Sequence, residues 1–233
     1  MNNKSIIGIV SKPVKYKHST LWQYDELVDD LRYIIIKNGA IAIGILPTNN
    51  TMEFNDNDCT DTSSITKEEL EDLHLVIDKC DGIILEGGLT SSIYEIEAAK
   101  YAIKKDKPVL GICAGFNNLI RALGGEVKFD SSGKHNIYDK EIVHNVKIEK
   151  NTKLYDILEE GNVEVNSIHT MVADDTSIKG FKIAAHSDDG LVEAIELEDK
   201  KFVMGIKWHP ELMFKINPKM EGIFQEFLKA CEK

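Results

Sequence analysis

The chain has 233 residues, 42% hydrophobic and 29% charged, an ordinary globular composition with length enough for a sizeable core. Its formal net charge of −11 argues against a nucleic-acid binder, which carries a basic face, and no apolar run reaches the roughly 20 residues of a membrane span. Cys59, Cys80, Cys113 and Cys231 are scattered without a CxxC pair, which speaks against a structural zinc ribbon and against a disulfide framework.

The N-terminal "SIIGIV" is rich in β-branched residues and reads as a first strand; it lacks a signal-peptide layout, so a cytoplasmic protein is expected. "YDELVDDLRYIIIKNGA" follows, with Leu27, Leu31, Ile34 and Ile35 at helical spacing and Gly39 as a stop. "IAIGILP" is a second strand. The polar, acidic stretch from Thr48 to Ser64 has no period and reads as a solvated loop. Thr66 with Glu69 forms a capping-box spacing, and Leu70, Leu73 and Ile77 form the buried stripe of the helix it opens. "DGIILEGG" is a strand that ends in two glycines. Ser92 and Glu95 repeat the capping spacing and open a further helix. "KPVLGI" is nearly all apolar, as a strand covered on both faces should be, and "GFNNLIRALGG" is the helix after it.

The second half is less regular. "FDSSGKHNIYDK" reads as a loop, "EIVHNVKIE" as a strand, "NTKLYDILEEG" as a short helix and "VEVNSIHTM" as a strand running into a loop. "FKIAAHSDDGLVEAIEL" is a hairpin turning at "DDG". "KFVMGIKWHPEL" is a last strand, and Asn217 caps a final helix with Pro218 in its first position. Alternating strands and helices predict an α/β fold: a mainly parallel central sheet, helices on both faces, and a small antiparallel part. With no repeat and no linker, one domain over residues 1–233 is expected.

Ligands of such sheets bind at strand carboxyl ends, where both "LEGG" and "GICAG" fall. A lone cysteine is most often a small buried hydrophobe. Cys113, however, has Gly111 and Gly115 two residues to either side, the spacing of a nucleophile elbow that relieves crowding between strand and helix. The helix N-terminus behind it favours thiolate. A thiol nucleophile needs a base, and the base an orienting group. In "KWHPEL", His209 and Glu211 are two apart and share a side in an extended segment; a surface histidine beside a turn proline fits that spacing equally well. Donors for an oxyanion are available from the N–H groups of Ala114 and of Gly88, or its neighbour Gly87.

"GICAG", "KWHPE" and "DGIILEGG", in this order, resemble the class I glutamine amidotransferase-like family, a flavodoxin-like fold. "VNSIHTM" is similar to the N-S-x-H segment of its γ-glutamyl-γ-aminobutyrate hydrolase (peptidase C26) branch. The likeness runs from the first strand to the last helix. It implies a Cys-His-Glu triad of Cys113, His209 and Glu211, and an oxyanion hole at Gly88 and Ala114. It implies substrate contacts from Gly87, Asn117, Asn166, Ser167 and His169, and no cofactor or metal.

The implied reaction is hydrolysis of a γ-glutamyl amide through a γ-glutamyl thioester, on a small-molecule substrate, without nucleic acid or membrane. A glutaminase subunit feeding ammonia to a separate synthase, and a non-catalytic module of the same fold, are the competing readings. A homodimer is compatible with the family; a synthase partner is not indicated. The sequence departs from the family pattern in five places: Glu86 stands before the glycines, "GGLTSS" lacks the acidic residue that often follows them, Ala114 stands where this branch often has arginine, Asn117 where a glutamine is common, and Lys207 where a glutamine precedes Trp-His. Glu86 either points away from the site or meets a cationic part of the substrate.

Overall fold

The computed structural model describes residues 4–15, 23–50, 64–88 and 91–233. Cys59, residues 51–63 of the acidic segment, and residues 89–90 lie outside them.

In chain order the strands are β1 (Ile6–Val10), β2 (Lys12–Lys15), β3 (Gln23–Glu26), β4 (Ile41–Ile45), β5 (Gly82–Leu85), β6 (Val109–Ile112), β7 (Val127–Phe129), β8 (His144–Ile148), β9 (Asn162–Val165), β10 (Met171–Ala173), β11 (Lys182–Ser187), β12 (Val192–Glu196) and β13 (Val203–Ile206). The helices are α1 (Asp29–Lys37), α2 (Lys67–Asp78), α3 (Ile93–Lys104), α4 (Ala114–Ala122), α5 (Lys153–Leu158) and α6 (Lys219–Ala230).

Nine strands make one sheet in the order β4-β1-β5-β6-β13-β12-β11-β8-β9. The first five run parallel, as the alternation of strand and helix predicts. From β13 onward the pairing is antiparallel, so the hairpin predicted at "DDG" extends the same sheet instead of forming a separate layer. The expected α/β fold is present.

Side chains alternate across the parallel strands, and both sides are apolar because both are covered. Ile7, Ile9, Ile84, Leu110, Ile112, Met204 and Ile206 pack in one core with α1, α5 and α6. Val10, Ile83, Leu85, Val109 and Val203 pack in the other with α2, α3 and α4. In α2 the Thr66 hydroxyl accepts from Glu69 N–H at 3.3 Å while the Glu69 carboxylate accepts from Thr66 N–H at 2.8 Å, the reciprocal cap read from the sequence. At α3 the Glu95 carboxylate accepts from Ser92 N–H at 2.9 Å. Pro218 has helical φ and ψ, and Asn217 Oδ1 accepts from Lys219 N–H at 3.1 Å, as the last helix requires.

One early element differs from its prediction. The helix expected from Tyr24 begins at Asp29, because Gln23–Glu26 instead pairs antiparallel with Lys12–Lys15. Leu31, Ile34 and Ile35 are buried as expected, but Leu27 lies before the helix and is 42% exposed. No helix among the described residues is long and apolar enough to cross a membrane.

Candidate active site

The parallel strands β5, β6 and β13 are neighbours, and each ends beside the next: Leu85 pairs with Gly111, and Gly205 with the same Gly111. Their carboxyl ends therefore bring Gly87 and Gly88, Cys113, and His209 to one rim. Cys113 N–H donates to Ile206 C=O at 2.8 Å, tying the elbow to the strand that carries the histidine.

At Cys113 the backbone has φ 51° and ψ −98°, a sparsely populated conformation for a residue with a Cβ. The flanking glycines are required by close approach. A Cβ on Gly115 would lie 2.0 Å from Leu85 O, and one on Gly111 would lie 2.6 Å from Gly115 O. The helix can thus start directly behind the thiol only if both positions lack side chains.

Cys113 is 5% exposed. Burial alone would push its thiol up; the charge of His209 and a hydrogen bond to its ring, with Lys207 behind them, bring it down to about 7. The other described cysteines behave as ordinary buried thiols: burial pushes Cys80 up to about 11 and Cys231 up to about 12. His209 shows the complementary effect. Burial opposes a charged imidazole, yet Glu211 and then Cys113 hold the ring well above its ordinary value. His209 Nδ1 and Glu211 Oε1 are 2.7 Å apart, with Glu211 buried beneath in the 3-10 turn Pro210–Leu212. His209 is hydrogen-bonded to the Glu211 carboxylate and electrostatically coupled to the Cys113 thiol, whose Sγ lies 3.8 Å from Ile168 C=O.

A cleft of about 140 Å³ opens over Cys113, with Ala114 and Gly88 at the same end. Of the five further residues predicted to touch a substrate, Asn117 and His169 line this cleft, and Gly87, Asn166 and Ser167 do not. A Cβ on Gly87 would lie 2.5 Å from His209 Cε1, so this glycine makes room for the imidazole. Asn166 is turned to the His209 backbone. Ser167 is fully buried, its hydroxyl donating to His135 C=O at 3.0 Å.

Glu86 points away from the cleft. It is fully buried, and its Oε2 accepts from Val28 N–H at 2.8 Å. Burial pushes its carboxyl up to about 8, so near neutral pH the group is mostly uncharged. Of the two placements open to it in the sequence, contact with a cationic substrate group is excluded by this geometry.

The cleft also contains two cations to which the sequence assigned no contact with substrate. Lys207, buried, donates to Asn117 Oδ1 at 3.0 Å and lies 5.5 Å from the centre of the Phe116 ring. Arg121, on the same helix as Asn117, hydrogen-bonds Ser91. These two cations form one wall, and Tyr138, Ile168 and His169 form the opposite one. The i, i+4 spacing of Asn117 and Arg121 on the elbow helix is the signal that would have found the arginine.

Residues 89–211 match the Peptidase C26 family. Protein NtpR of Enterococcus hirae is 31% identical over 156 residues, which is 63% of this chain and 64% of that protein. The γ-glutamyl-γ-aminobutyrate hydrolase PuuD of Escherichia coli is 29% identical over 144 residues, 56% of each. The match therefore spans less than two thirds of either relative's length. The crystal structure of a glutamine amidotransferase from Thermotoga maritima superposes with a TM-score of 0.62 at 14% identity, over 98% of this chain and 99% of the other. That likeness concerns the fold. The family match takes in both the elbow cysteine and the His-Pro-Glu turn, and by it the chain belongs to the Peptidase C26 family.

Proposed function

We propose that the protein is a cysteine hydrolase that cleaves a γ-glutamyl amide to glutamate and an amine through a γ-glutamyl thioester. The observation that carries the reading is the grouping of Cys113, at the cleft, with His209, which is bonded to buried Glu211 and shifts the thiol electrostatically. With the thiol near 7 and the imidazole raised, the pair is poised as thiolate and imidazolium.

In this mechanism the Cys113 thiolate attacks the γ-carbonyl carbon. A C–S bond forms, and the carbonyl electron pair moves to oxygen. The N–H groups of Ala114 and Gly88, residues that line the cleft with Cys113, are the proposed donors to that oxyanion. His209 gives its proton to the amide nitrogen as the C–N bond breaks and the amine departs. The neutral imidazole then takes a proton from water, whose hydroxide attacks the thioester. The C–S bond breaks, glutamate leaves, and thiolate and imidazolium are restored. Glu211 keeps the ring oriented and favours its charged form. The Arg121–Lys207 wall supports recognition of the glutamyl α-carboxylate, with Asn117 held in place by Lys207.

The test is glutamate release from glutamine, γ-glutamyl-γ-aminobutyrate, γ-glutamyl-putrescine and γ-glutamyl-anilide, with Cys113→Ala run alongside. Release that disappears in the variant is the expected result and ranks the leaving groups. Release that persists in Cys113→Ala, or none from any substrate, overturns a stand-alone cysteine hydrolase.

A further inference from the structure

Behind the cleft, three histidines surround one buried carboxylate. Glu193 on β12 is fully buried, and neither of its oxygens has a hydrogen-bond partner among the described residues. Its Oε1 lies 4.0 Å from His135 Nδ1, 3.8 Å from His144 Nε2 and 3.7 Å from His169 Nε2. Two carboxylate oxygens left unpaired in the interior are costly unless something binds them.

The outer partners of the rings indicate what that is. His144 Nδ1 is 3.1 Å from Asn145 C=O, an oxygen that can only accept. That nitrogen therefore carries the proton, and the neutral ring turns the lone pair of Nε2 toward Glu193. His144 Nε2 has no other partner among the described residues. His135 Nε2 is 3.1 Å from Asp189 Oδ2, so its proton sits there; the lone pair of Nδ1 lies between the Ser167 hydroxyl at 3.2 Å, whose hydrogen goes to His135 C=O, and the same carboxylate at 4.0 Å. Donors are thus directed outward, and acceptors converge. A proton can bridge one pair of acceptors; a divalent cation can bond all of them.

We propose that His135 Nδ1, His144 Nε2 and the Glu193 carboxylate bind a zinc-like divalent ion. Two imidazoles and a carboxylate suit Zn²⁺ among the common cations, since Mg²⁺ and Ca²⁺ prefer all-oxygen sites. The ligand atoms lie within 4.8 Å of one another. Bonds of about 2.0–2.1 Å place tetrahedral ligands roughly 3.3 Å apart, so the widest pair must close by about 1.5 Å, which rotamer adjustments on both sides share. A carboxylate behind one imidazole and a backbone carbonyl behind the other are the supports usual for metal-bound histidines. His169 Nε2, 3.1 Å from the Ser167 hydroxyl, is the nearest nitrogen for a fourth position. Glu193 and Asp189 supply the negative charge for a divalent ion, of which Lys207, hydrogen-bonded to Asn117, offsets part at Glu193.

Such an ion joins the loop after β7 to β8 and β12. That loop also carries Asn136 and Tyr138, which line the cleft. Its role is to fix the recognition wall, apart from the reacting atoms.

The test uses the full chain with Cys113→Ser, since the thiol and His209 could themselves take zinc. After chelator treatment it is titrated with Zn²⁺, Co²⁺, Mg²⁺ and Ca²⁺. One equivalent of Zn²⁺, a rise in Tm with Zn²⁺ but not with Mg²⁺ or Ca²⁺, and a visible four-coordinate Co²⁺ spectrum are expected. His144→Ala and Glu193→Gln should each weaken Zn²⁺ binding at least 100-fold, and Asp189→Asn about 10- to 100-fold. His144 is at the edge of the cluster and Asp189 is partly exposed, so those two variants serve where Glu193→Gln does not fold. Failure to bind one equivalent, or unchanged affinity in His144→Ala and Asp189→Asn, overturns the site.

Discussion

The side chain of Asn166 holds the His209 peptide unit from both directions: Oδ1 accepts from His209 N–H at 2.8 Å, and Nδ2 donates to His209 C=O at 3.0 Å. The asparagine sits just past the end of β9 and the histidine just past β13, so this pair locks two loops together across 43 residues of sequence. Asn166→Ala leaves a donor and an acceptor of His209 unpaired, at a cost of about 1–3 kcal/mol each where buried. The expected result is a roughly ten- to hundredfold loss of kcat with KM nearly unchanged. A loss confined to KM would return Asn166 to direct substrate contact.

Thiol chemistry separates Cys113 from the other described cysteines. With its thiol near 7, alkylation by iodoacetamide should rise through pH 7 and level off above it. Cys80 and Cys231, pushed up to about 11 and about 12, should react at least ~100-fold more slowly at pH 7.5. In His209→Ala the largest influence lowering the thiol is lost while burial and Lys207 remain, so the midpoint should move upward. A midpoint unchanged by His209→Ala would separate the imidazole from the thiol.

Glu211→Gln keeps the shape of the side chain and removes the charge that contributes most to raising His209. Hydrolysis of any active γ-glutamyl substrate should fall by about 10²–10⁴-fold, with circular dichroism unchanged. The measurement is kcat across pH. Wild-type activity with Gln at this position would mean that the carboxylate neither orients nor charges the base.

Gly115→Ala tests the elbow as packing. Its new Cβ would fall 2.0 Å from Leu85 O, an atom of a central strand that cannot move aside cheaply. A loss of about 1–3 kcal/mol or more is expected in urea unfolding. Gly133→Ala, where a Cβ meets nothing within 4 Å but φ is +68°, should cost about 1–2 kcal/mol, a strain penalty alone.

Glu86 bears on pH in a direction that can be worked out. Its folded carboxyl is raised from 4.5 to about 8, so between these values the native state binds more protons than the unfolded one. Its contribution is fully present below the unfolded value and is lost as pH rises toward 8, at a slope of up to about 1.4 kcal/mol per pH unit. Glu86→Gln preserves an acceptor for Val28 N–H and has no charge to develop. The variant should match wild type near pH 5 and exceed it in stability at pH 8. Because the side chain faces away from the cleft, the ranking of leaving amines should not change.

Much of this was legible in the sequence because it is written in local spacing. Gly111-x-Cys113-x-Gly115 encodes a close approach of helix to strand, and the approach is so close that a Cβ on Gly115 would lie 2.0 Å from Leu85 O. His209 and Glu211 lie on one side of a short turn and meet at 2.7 Å. What stayed hidden depends on partners far along the chain. Gln23–Glu26 carries a helical apolar spacing into Leu27, and only its pairing with Lys12–Lys15 makes it a strand. Asn166 reads as a substrate contact until His209 is placed beside it. Glu193, in the apolar strand "VEAIE", gives no sign of itself until His135, His144 and His169 converge on it.

The change of polarity at β13 divides the molecule by trade. The thiol, the imidazole and their glycines are anchored to strands that run together and are clad by helices on both sides. Asn136, Tyr138 and Ile168 to Met171, which also line the cleft, lie between β7 and β8 and from the end of β9 into β10, joined by the bridge between Asn136 and Ile168 and by the Ser167 hydroxyl on His135 C=O. A lineage could re-cut these segments many times and leave the cutting edge untouched. Swapping residues 136–138 and 168–171 between relatives is thus a compact route to exchanging appetites among enzymes of one build.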